Sequence, residues 1–105
     1  VMNQTATSSE IINTILFSFF VFFIAAAFEE VFFRGYILQT LIRSNLAWLG
    51  ILLTSLPFAF AHLENPNSTW FSTLNTALAG IWFGIAYLKT RTLWLVFGLH
   101  LAWNW

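Results

Sequence analysis

The chain has no cysteine, and charged residues make up only 8% of its 105 residues. The lack of cysteine excludes disulfides, thiolate metal ligands and a cysteine nucleophile. The formal net charge is zero and no basic run is present, which argues against nucleic acid as a partner. Soluble globular domains carry about 25% charged residues. The scarcity of charge therefore disfavours a soluble class as well.

Apolar residues are what the chain has in excess. Hydrophobic residues make up 59% of the sequence and aromatic residues 20%. A single domain of this size leaves a large share of its surface exposed, so this much apolar surface favours lipid as the surroundings. We predict an all-α, polytopic transmembrane helix bundle: a multi-pass integral membrane protein (in the cell membrane if bacterial) whose partner is the lipid bilayer.

The first predicted helix runs from Glu10 to about Arg43, with Ser8 or Ser9 as its N-cap. An unbroken helix of that length would measure about 48 Å at 1.5 Å per residue, which exceeds a hydrocarbon core of about 30 Å. It must therefore tilt, protrude or break, and Gly35 is the expected weak point.

Three more apolar spans bring the predicted total to about four. They cover residues 46–63, 70–88 and 92–105, after a turn at 44–45 and with a polar loop at 63–69. Pro57 lies inside the second span and removes one backbone hydrogen bond there. We expect residues 1–105 to form a single membrane core cut from a longer multi-pass protein, because the chain ends inside an apolar helical pattern. The polar start lacks the basic n-region of a signal peptide.

Aromatic and small residues indicate where the spans meet the membrane surface and where they pack against each other. Trp48, Trp70 and Trp94 each open a span, as interfacial aromatic residues do. Gly80 and Gly84 form a G-x-x-x-G pattern that allows a neighbouring helix to approach closely.

Ionisable residues inside these apolar spans are the most informative feature of the sequence. A charge in hydrocarbon costs about 2.5–3.5 kcal/mol by insertion scales, so such residues normally face a bundle interior and are functional candidates. The set comprises Glu29, Glu30, Arg34, His62 and His100, with the polar Asn104 on the last span.

A depth estimate brings these groups together. Arg43, Lys89 and Arg91 fall on one side of the four-span arrangement, which the positive-inside rule assigns to the cytoplasm. Measured from that side at 1.5 Å per residue, the polar groups lie about 13–25 Å deep. They come from three separate spans and should meet, nearer the opposite face.

The spacing within each span suggests roles for these residues. Glu30 and Arg34 are four apart and can pair on one helix face, whereas Glu29 points about 100° away, toward a cavity. The alternative is an ion pair that only locks the bundle. His62 follows the proline, and a structural role for it is a hydrogen bond to a carbonyl.

His100 and Asn104 also share a helix face. Together they can donate to one oxygen, or serve as interhelical hydrogen-bonding groups.

These residue types indicate hydrolysis of a peptide bond. A carboxylate and a histidine can jointly position and deprotonate water, and a His–Asn pair can stabilise the oxyanion of the carbonyl. The same Glu29, His62 and His100 are alternatively ligands for Zn²⁺ or another divalent metal. The sequence does not choose between them, although the absence of HExxH excludes a zincin-type helix.

Three motifs then resemble the CAAX-protease and bacteriocin-processing (CPBP, or Abi) family of intramembrane endopeptidases. The segments are Glu29-Glu30-Val31-Phe32-Phe33-Arg34, similar to EExxxR; Phe58-Ala59-Phe60-Ala61-His62, similar to FxxxH; and His100-Leu101-Ala102-Trp103-Asn104, similar to HxxxN. They occur in the family's order, on separate spans, and cover the chain from about residue 25 to its end. Family members usually have more than four transmembrane helices.

The resemblance implies roles for the individual residues. Glu29 would activate water with His62, Glu30 and Arg34 would support it, and His100 with Asn104 would form the oxyanion site. In the metalloprotease interpretation His100 would be a ligand. The implied substrates are peptides or proteins: prenylated CAAX proteins that lose three C-terminal residues, or substrates of bacteriocin maturation or self-immunity.

Two other classes stay open from the residues alone. One is a non-enzymatic membrane immunity or scaffold protein on the same fold, for which the Glu/His set is dispensable. The other is a fragment of a proton-coupled transporter, since Glu and His chains also mark proton paths. Many transporters contain a pair of broken helices in matching halves of the chain, and the sequence shows no such pair, which argues against the transporter.

Overall fold

All regular structure in residues 6–105, the part of the chain that this computed structural model describes, is helical. The prediction of an all-α chain is therefore confirmed for these residues, which contain no strand. The elements are α1 (Ser8–Glu30), a π-helical segment (Val31–Leu38), α2 (Gln39–Arg43), α3 (Ala47–Ala61), α4 (Trp70–Thr90) and α5 (Leu93–Asn104).

The first helix begins at a capping box. The Glu10 amide donates to Thr7 Oγ1 at 3.3 Å, and the Thr7 amide donates to Glu10 Oε2 at 2.8 Å. The prediction of Ser8 or Ser9 as the N-cap was wrong, because Thr7 has the three-residue spacing to a glutamate that this motif needs. Residues 1–5 of the predicted polar start lie outside the described residues.

The long first helix does not break at Gly35. The helix is continuous over Ser8–Arg43, 36 residues, and changes instead to π winding over Val31–Leu38. Gly35 lies inside this π segment and packs near α5: a Cβ there would make an ordinary contact of 3.4 Å with the Leu93 side chain. At 1.5 Å per residue the helix is about 54 Å long, which accounts for most of the 60 Å length of the molecule.

The remaining helices follow through short connections. Asn45, in the predicted turn, adopts a left-handed conformation with φ of 61° and reverses the chain into α3. α3 continues through Pro57 and ends with His62 as its C-cap. A second capping box, built by Thr69 and Ser72, starts α4.

α3 and α4 form the closest helix pair, and glycine makes this possible. A Cβ on Gly80 would lie 3.1 Å from Ser55 Cα, and one on Gly84 would lie 3.0 Å from Ile51 Cγ1. The predicted close-approach face is therefore confirmed, with α3 as the neighbour. Around it lies a core of seven buried residues: Leu38, Ile51, Phe58, Ala79, Phe83, Tyr87 and Val96.

Large apolar side chains are exposed on every long helix, as suits lipid-facing surfaces. Trp48, Trp70 and Trp94 lie within the first two residues of their helices and are at least 69% exposed. Within residues 6–105, two helices are long and apolar enough to cross a membrane, Ser8–Arg43 and Trp70–Thr90. α3 and α5 are apolar but shorter, so the structure supports two of the four predicted spans by length.

Candidate active site

The junction of α1 and the π-helical segment carries a buried ion pair. Arg34 Nη1 donates to Glu30 Oε1 at 3.0 Å, and Arg34 Nη2 donates to the Gly80 carbonyl oxygen at 3.0 Å. The predicted pairing of Glu30 with Arg34 is thus present. Because both side chains are at most 2% exposed, the pair ties the first helix to α4 inside the bundle.

Aromatic rings enclose the Arg34 guanidinium. Its central carbon lies 4.9 Å from the centroid of Phe58, 5.5 Å from Phe83 and 5.8 Å from Phe33. A desolvated cation over aromatic faces gains about 2 kcal/mol or more. These rings therefore offset part of the cost of a buried charge.

His100 reaches the same carboxylate from α5. Its Nδ1 lies 2.7 Å from Glu30 Oε1, and its side chain is fully buried. The carboxylate paired with Arg34 can only accept, so Nδ1 is the donor. The rings of Phe58 and Phe83 lie 5.2 Å from the imidazole and fix its plane. Nε2 consequently points away from Glu30.

His62 is oriented by its own helix. Its Nδ1 lies 2.7 Å from the Phe58 carbonyl oxygen, which can only accept, so Nδ1 again carries the proton. The structural role foreseen for this histidine is thus fulfilled by one ring nitrogen. The other, Nε2, lies 4.0 Å from Glu29 Oε2 and is free for a second role.

Glu29 lies between the two histidines. Its Oε2 is 3.6 Å from His100 Nε2 and 4.0 Å from His62 Nε2, both too long for direct hydrogen bonds. One ligand atom from each residue lies within 4.8 Å of the others. Neither Glu29 Oε2 nor His100 Nε2 has a hydrogen-bond partner among the described residues. The three atoms therefore surround a small space, which we call the three-acceptor centre.

The occupant of this centre must bring positive charge or donors. A carboxylate oxygen and two imidazole nitrogens with their protons on Nδ1 present only lone pairs. A buried acceptor without a partner costs about 1–3 kcal/mol. A water molecule, an extra proton on a histidine, or a metal ion each satisfies such a set.

The donor set also fits a divalent metal. Zn²⁺ takes carboxylate oxygen and imidazole nitrogen. Histidines that bind metal usually donate their other N–H to a carboxylate or a backbone carbonyl. His100 donates to Glu30 and His62 to the Phe58 carbonyl, which reproduces both arrangements.

Asn104 stands apart from the other predicted site residues. It is partly buried, and its side chain makes no hydrogen bond within residues 6–105. It lies one helical turn beyond His100 on α5, at the end of the helix. The structure thus brings five of the six predicted residues together, each with a side-chain atom within 4.0 Å of another member, while the role of Asn104 stays a prediction.

The sequence did not reveal every group that builds the site. The contact between His100 and Glu30 joins residues 70 positions apart, which no local pattern encodes. Phe83 packs on both Arg34 and His100 but looks like any core phenylalanine of α4. The role of the Phe58 carbonyl could have been predicted from the sequence, because a histidine four residues later on a helix can donate a hydrogen bond back to it.

One comparison with known proteins matches the chain to a family. A family model described as Type II CAAX prenyl endopeptidase Rce1-like matches residues 11–105. The match includes all six predicted site residues and all five helices apart from the first residues of α1. No curated protein and no solved structure matches the chain.

Proposed function

The chain belongs to the Rce1-like family of type II CAAX prenyl endopeptidases, and from that premise we propose that it hydrolyses a peptide bond within the membrane by a water molecule held at Glu29. The family implies a protease that is a membrane protein and acts on prenylated peptides or proteins. The observation that carries the proposal is the three-acceptor centre, where Glu29 Oε2 and His100 Nε2 lack hydrogen-bond partners among the described residues and converge with His62 Nε2.

The first step is attack by water. Glu29 accepts a proton from the water while His62 Nε2 accepts its second hydrogen bond and orients it. The water oxygen bonds to the carbonyl carbon of the substrate, and the carbonyl oxygen becomes an oxyanion. The 4.0 Å between His62 Nε2 and Glu29 Oε2 supports this role, since one water can bridge that distance.

The oxyanion is stabilised by His100 and Asn104. While Nδ1 of His100 donates to Glu30, only an imidazolium also carries a proton on Nε2. The C–N bond then breaks, and the leaving amine takes the proton held by Glu29.

A metal ion is the alternative activator. Glu29, His62 and His100 would hold it, and it would supply Lewis-acid chemistry toward water or the carbonyl. Glu30 and the Phe58 carbonyl would then fix the histidines through the hydrogen bonds that they accept.

We further propose that residues 1–105 are the core of a longer multi-pass protein. α3 and α5 are about 22 and 18 Å long at 1.5 Å per residue, shorter than a bilayer core of about 30 Å. Both present apolar side chains outward, so we place all four apolar helical segments in the bilayer. Additional helices would then cover the exposed part of α1.

The test is cleavage of a fluorogenic CAAX peptide by the full-length parent in detergent. The peptide is supplied with and without its prenyl group, and each assay is repeated with a chelator. We expect cleavage of the prenylated peptide only. Loss of activity with the chelator, and its return on adding Zn²⁺, would favour the metal. Absence of cleavage would contradict CAAX processing and favour bacteriocin maturation, self-immunity or a non-enzymatic role.

A further inference from the structure

A polar cavity lies beside the site, at the end of the bundle where α3 passes into α4. Its volume is about 200 Å³. One wall is His62, and the others come from the connection between the helices, including Asn65, and from Ser72, Thr73 and Thr76 of α4. One water needs about 10–15 Å³ of such space, so this cavity has room for several.

The hydroxyl groups of α4 that face this cavity can all accept hydrogen bonds from water. Thr73 Oγ1 donates to the Thr69 carbonyl at 3.0 Å, and Thr76 Oγ1 donates to the Ser72 carbonyl at 2.9 Å. Each oxygen keeps lone pairs for a further partner. Three hydroxyls along one strip of this largely apolar helix suit a wetted surface.

The opposite side of α4 has the character of a lipid-facing surface. Leu74, Leu78 and Trp82 project from it and are 48–55% exposed. Because Leu78 follows Thr76 by two residues, the two side chains lie at nearly the same depth on opposite sides of the helix. The helix thus separates a hydroxyl-lined face from an apolar one.

His62 joins the polar cavity to the three-acceptor centre. Its imidazole is 22% exposed and forms part of the cavity wall, while its Nε2 lies 4.0 Å from Glu29 Oε2. A second cavity of about 350 Å³ lies between α1 and α5, but its walls are almost wholly apolar. Water is therefore favoured on the His62 side.

We propose that this polar cavity is the aqueous entrance of the site, through which water reaches Glu29 past His62. The inference rests on the proposed hydrolysis, which consumes one water per bond. The position of the cavity also defines the side of the membrane from which water enters. The entrance lies at the end of α3 and the start of α4, so it opens on the side opposite Arg43, Lys89 and Arg91.

Thiol labelling measures this access without requiring catalysis. The 105 residues contain no cysteine, and any cysteine elsewhere in the full-length parent is first replaced by serine. Thr76→Cys and Leu78→Cys are then treated with a charged, membrane-impermeant methanethiosulfonate. Because the thiolate reacts and forms only in water, we expect labelling of Thr76→Cys to be at least about tenfold faster. Equal rates would overturn the proposal, provided that both thiols react fully after denaturation.

The side of entry is measured in sealed vesicles. Asn67→Cys in the connecting loop and Thr90→Cys at the far end of α4 report the two surfaces. Thr76→Cys should be labelled from the same side as Asn67→Cys. Labelling from the Thr90→Cys side would contradict the assigned direction and the entrance with it.

Cleavage after labelling links the cavity to the reaction. The adduct at Thr76→Cys should lower the cleavage rate by at least about tenfold, because it occupies the water path, whereas the adduct at Leu78→Cys should leave it unchanged. Full labelling of Thr76→Cys without a change in rate would overturn the entrance. If the unlabelled protein cleaves nothing, the proposed function fails while the labelling rates still decide whether the cavity is aqueous.

Discussion

Glu29 and Glu30 are neighbours in the chain, yet their carboxylates lie in opposite chemical surroundings. Glu30 is 2% exposed, and its Oε1 accepts from both Arg34 and His100, although its Oε2 has no partner among the described residues. Glu29 is 26% exposed, and its Oε2 has no partner among the described residues. Buried polar groups are normally satisfied, so an unsatisfied one calls for an explanation. The difference separates a carboxylate that holds helices together from one that is available for reaction.

The largest expected effect is the loss of activity on replacing Glu29, the carboxylate that is available for reaction. Glu29→Gln keeps the shape but cannot accept a proton from water, so kcat should fall by about 10²–10⁴-fold with little change in thermal stability. The measurement is cleavage of the prenylated fluorogenic peptide by the full-length parent. Glu64→Gln, in the exposed loop, is the matched control and should be fully active. A fall of less than about tenfold would remove Glu29 from proton transfer.

Replacing Arg34 tests the other carboxylate. Arg34→Met leaves Glu30 buried without its cation, which should lower the free energy of unfolding by about 3–5 kcal/mol. Thermal unfolding in detergent measures this loss. The double variant Glu30→Gln with Arg34→Met should recover much of it, because both charges are then absent. A single variant as stable as the wild type would show that the pair does not hold the bundle.

Asn104 tests how far the site extends along α5. If its amide donates to the oxyanion, Asn104→Ala should lower kcat by about 10²–10³-fold and leave KM nearly unchanged. Asn75→Ala, an exposed asparagine of α4, is the control. An unchanged kcat in Asn104→Ala would restrict oxyanion stabilisation to His100 or to a metal.

The smallest expected effect is a loss of stability on filling the close contact between α3 and α4. Gly80→Ala places a Cβ 3.1 Å from Ser55 Cα and should destabilise the protein by about 1–3 kcal/mol. Gly98→Ala meets nothing within 4 Å and should be neutral or stabilising by up to about 1 kcal/mol, through helix propensity. Equal shifts in the melting temperature would show that α3 and α4 do not pack as described.

Local spacing made part of this site predictable. Glu30 and Arg34 are four apart and pair as expected, and Glu29 points elsewhere because one residue turns the helix by about 100°. The depth of each polar residue along its span, taken at 1.5 Å per residue, also predicted that the polar groups of three spans come together. That estimate put His62 and His100 about 12 Å apart along the bundle axis, although each lies within 4.0 Å of Glu29 Oε2.

Other features depend on tertiary contacts and left no local signal. The first helix changes to π winding over Val31–Leu38, a segment that contains the predicted weak point Gly35, and helix propensity does not distinguish this winding from a break. The contact of His100 with Glu30 fixes which ring nitrogen faces the centre. For Asn104 the expected partner is substrate, so neither sequence nor protein contacts define its role.

The most direct test of the account is to locate the bond that is cut and the group that cuts it. The full-length parent and its Glu29→Gln variant are incubated with a prenylated CAAX peptide in ¹⁸O-labelled water, and the products are analysed by mass spectrometry. We expect release of the C-terminal tripeptide, one ¹⁸O in the new carboxylate of the prenylated product, and at most about a hundredth as much product from the variant. Intact peptide with the wild type, or equal product from both proteins, would contradict the account.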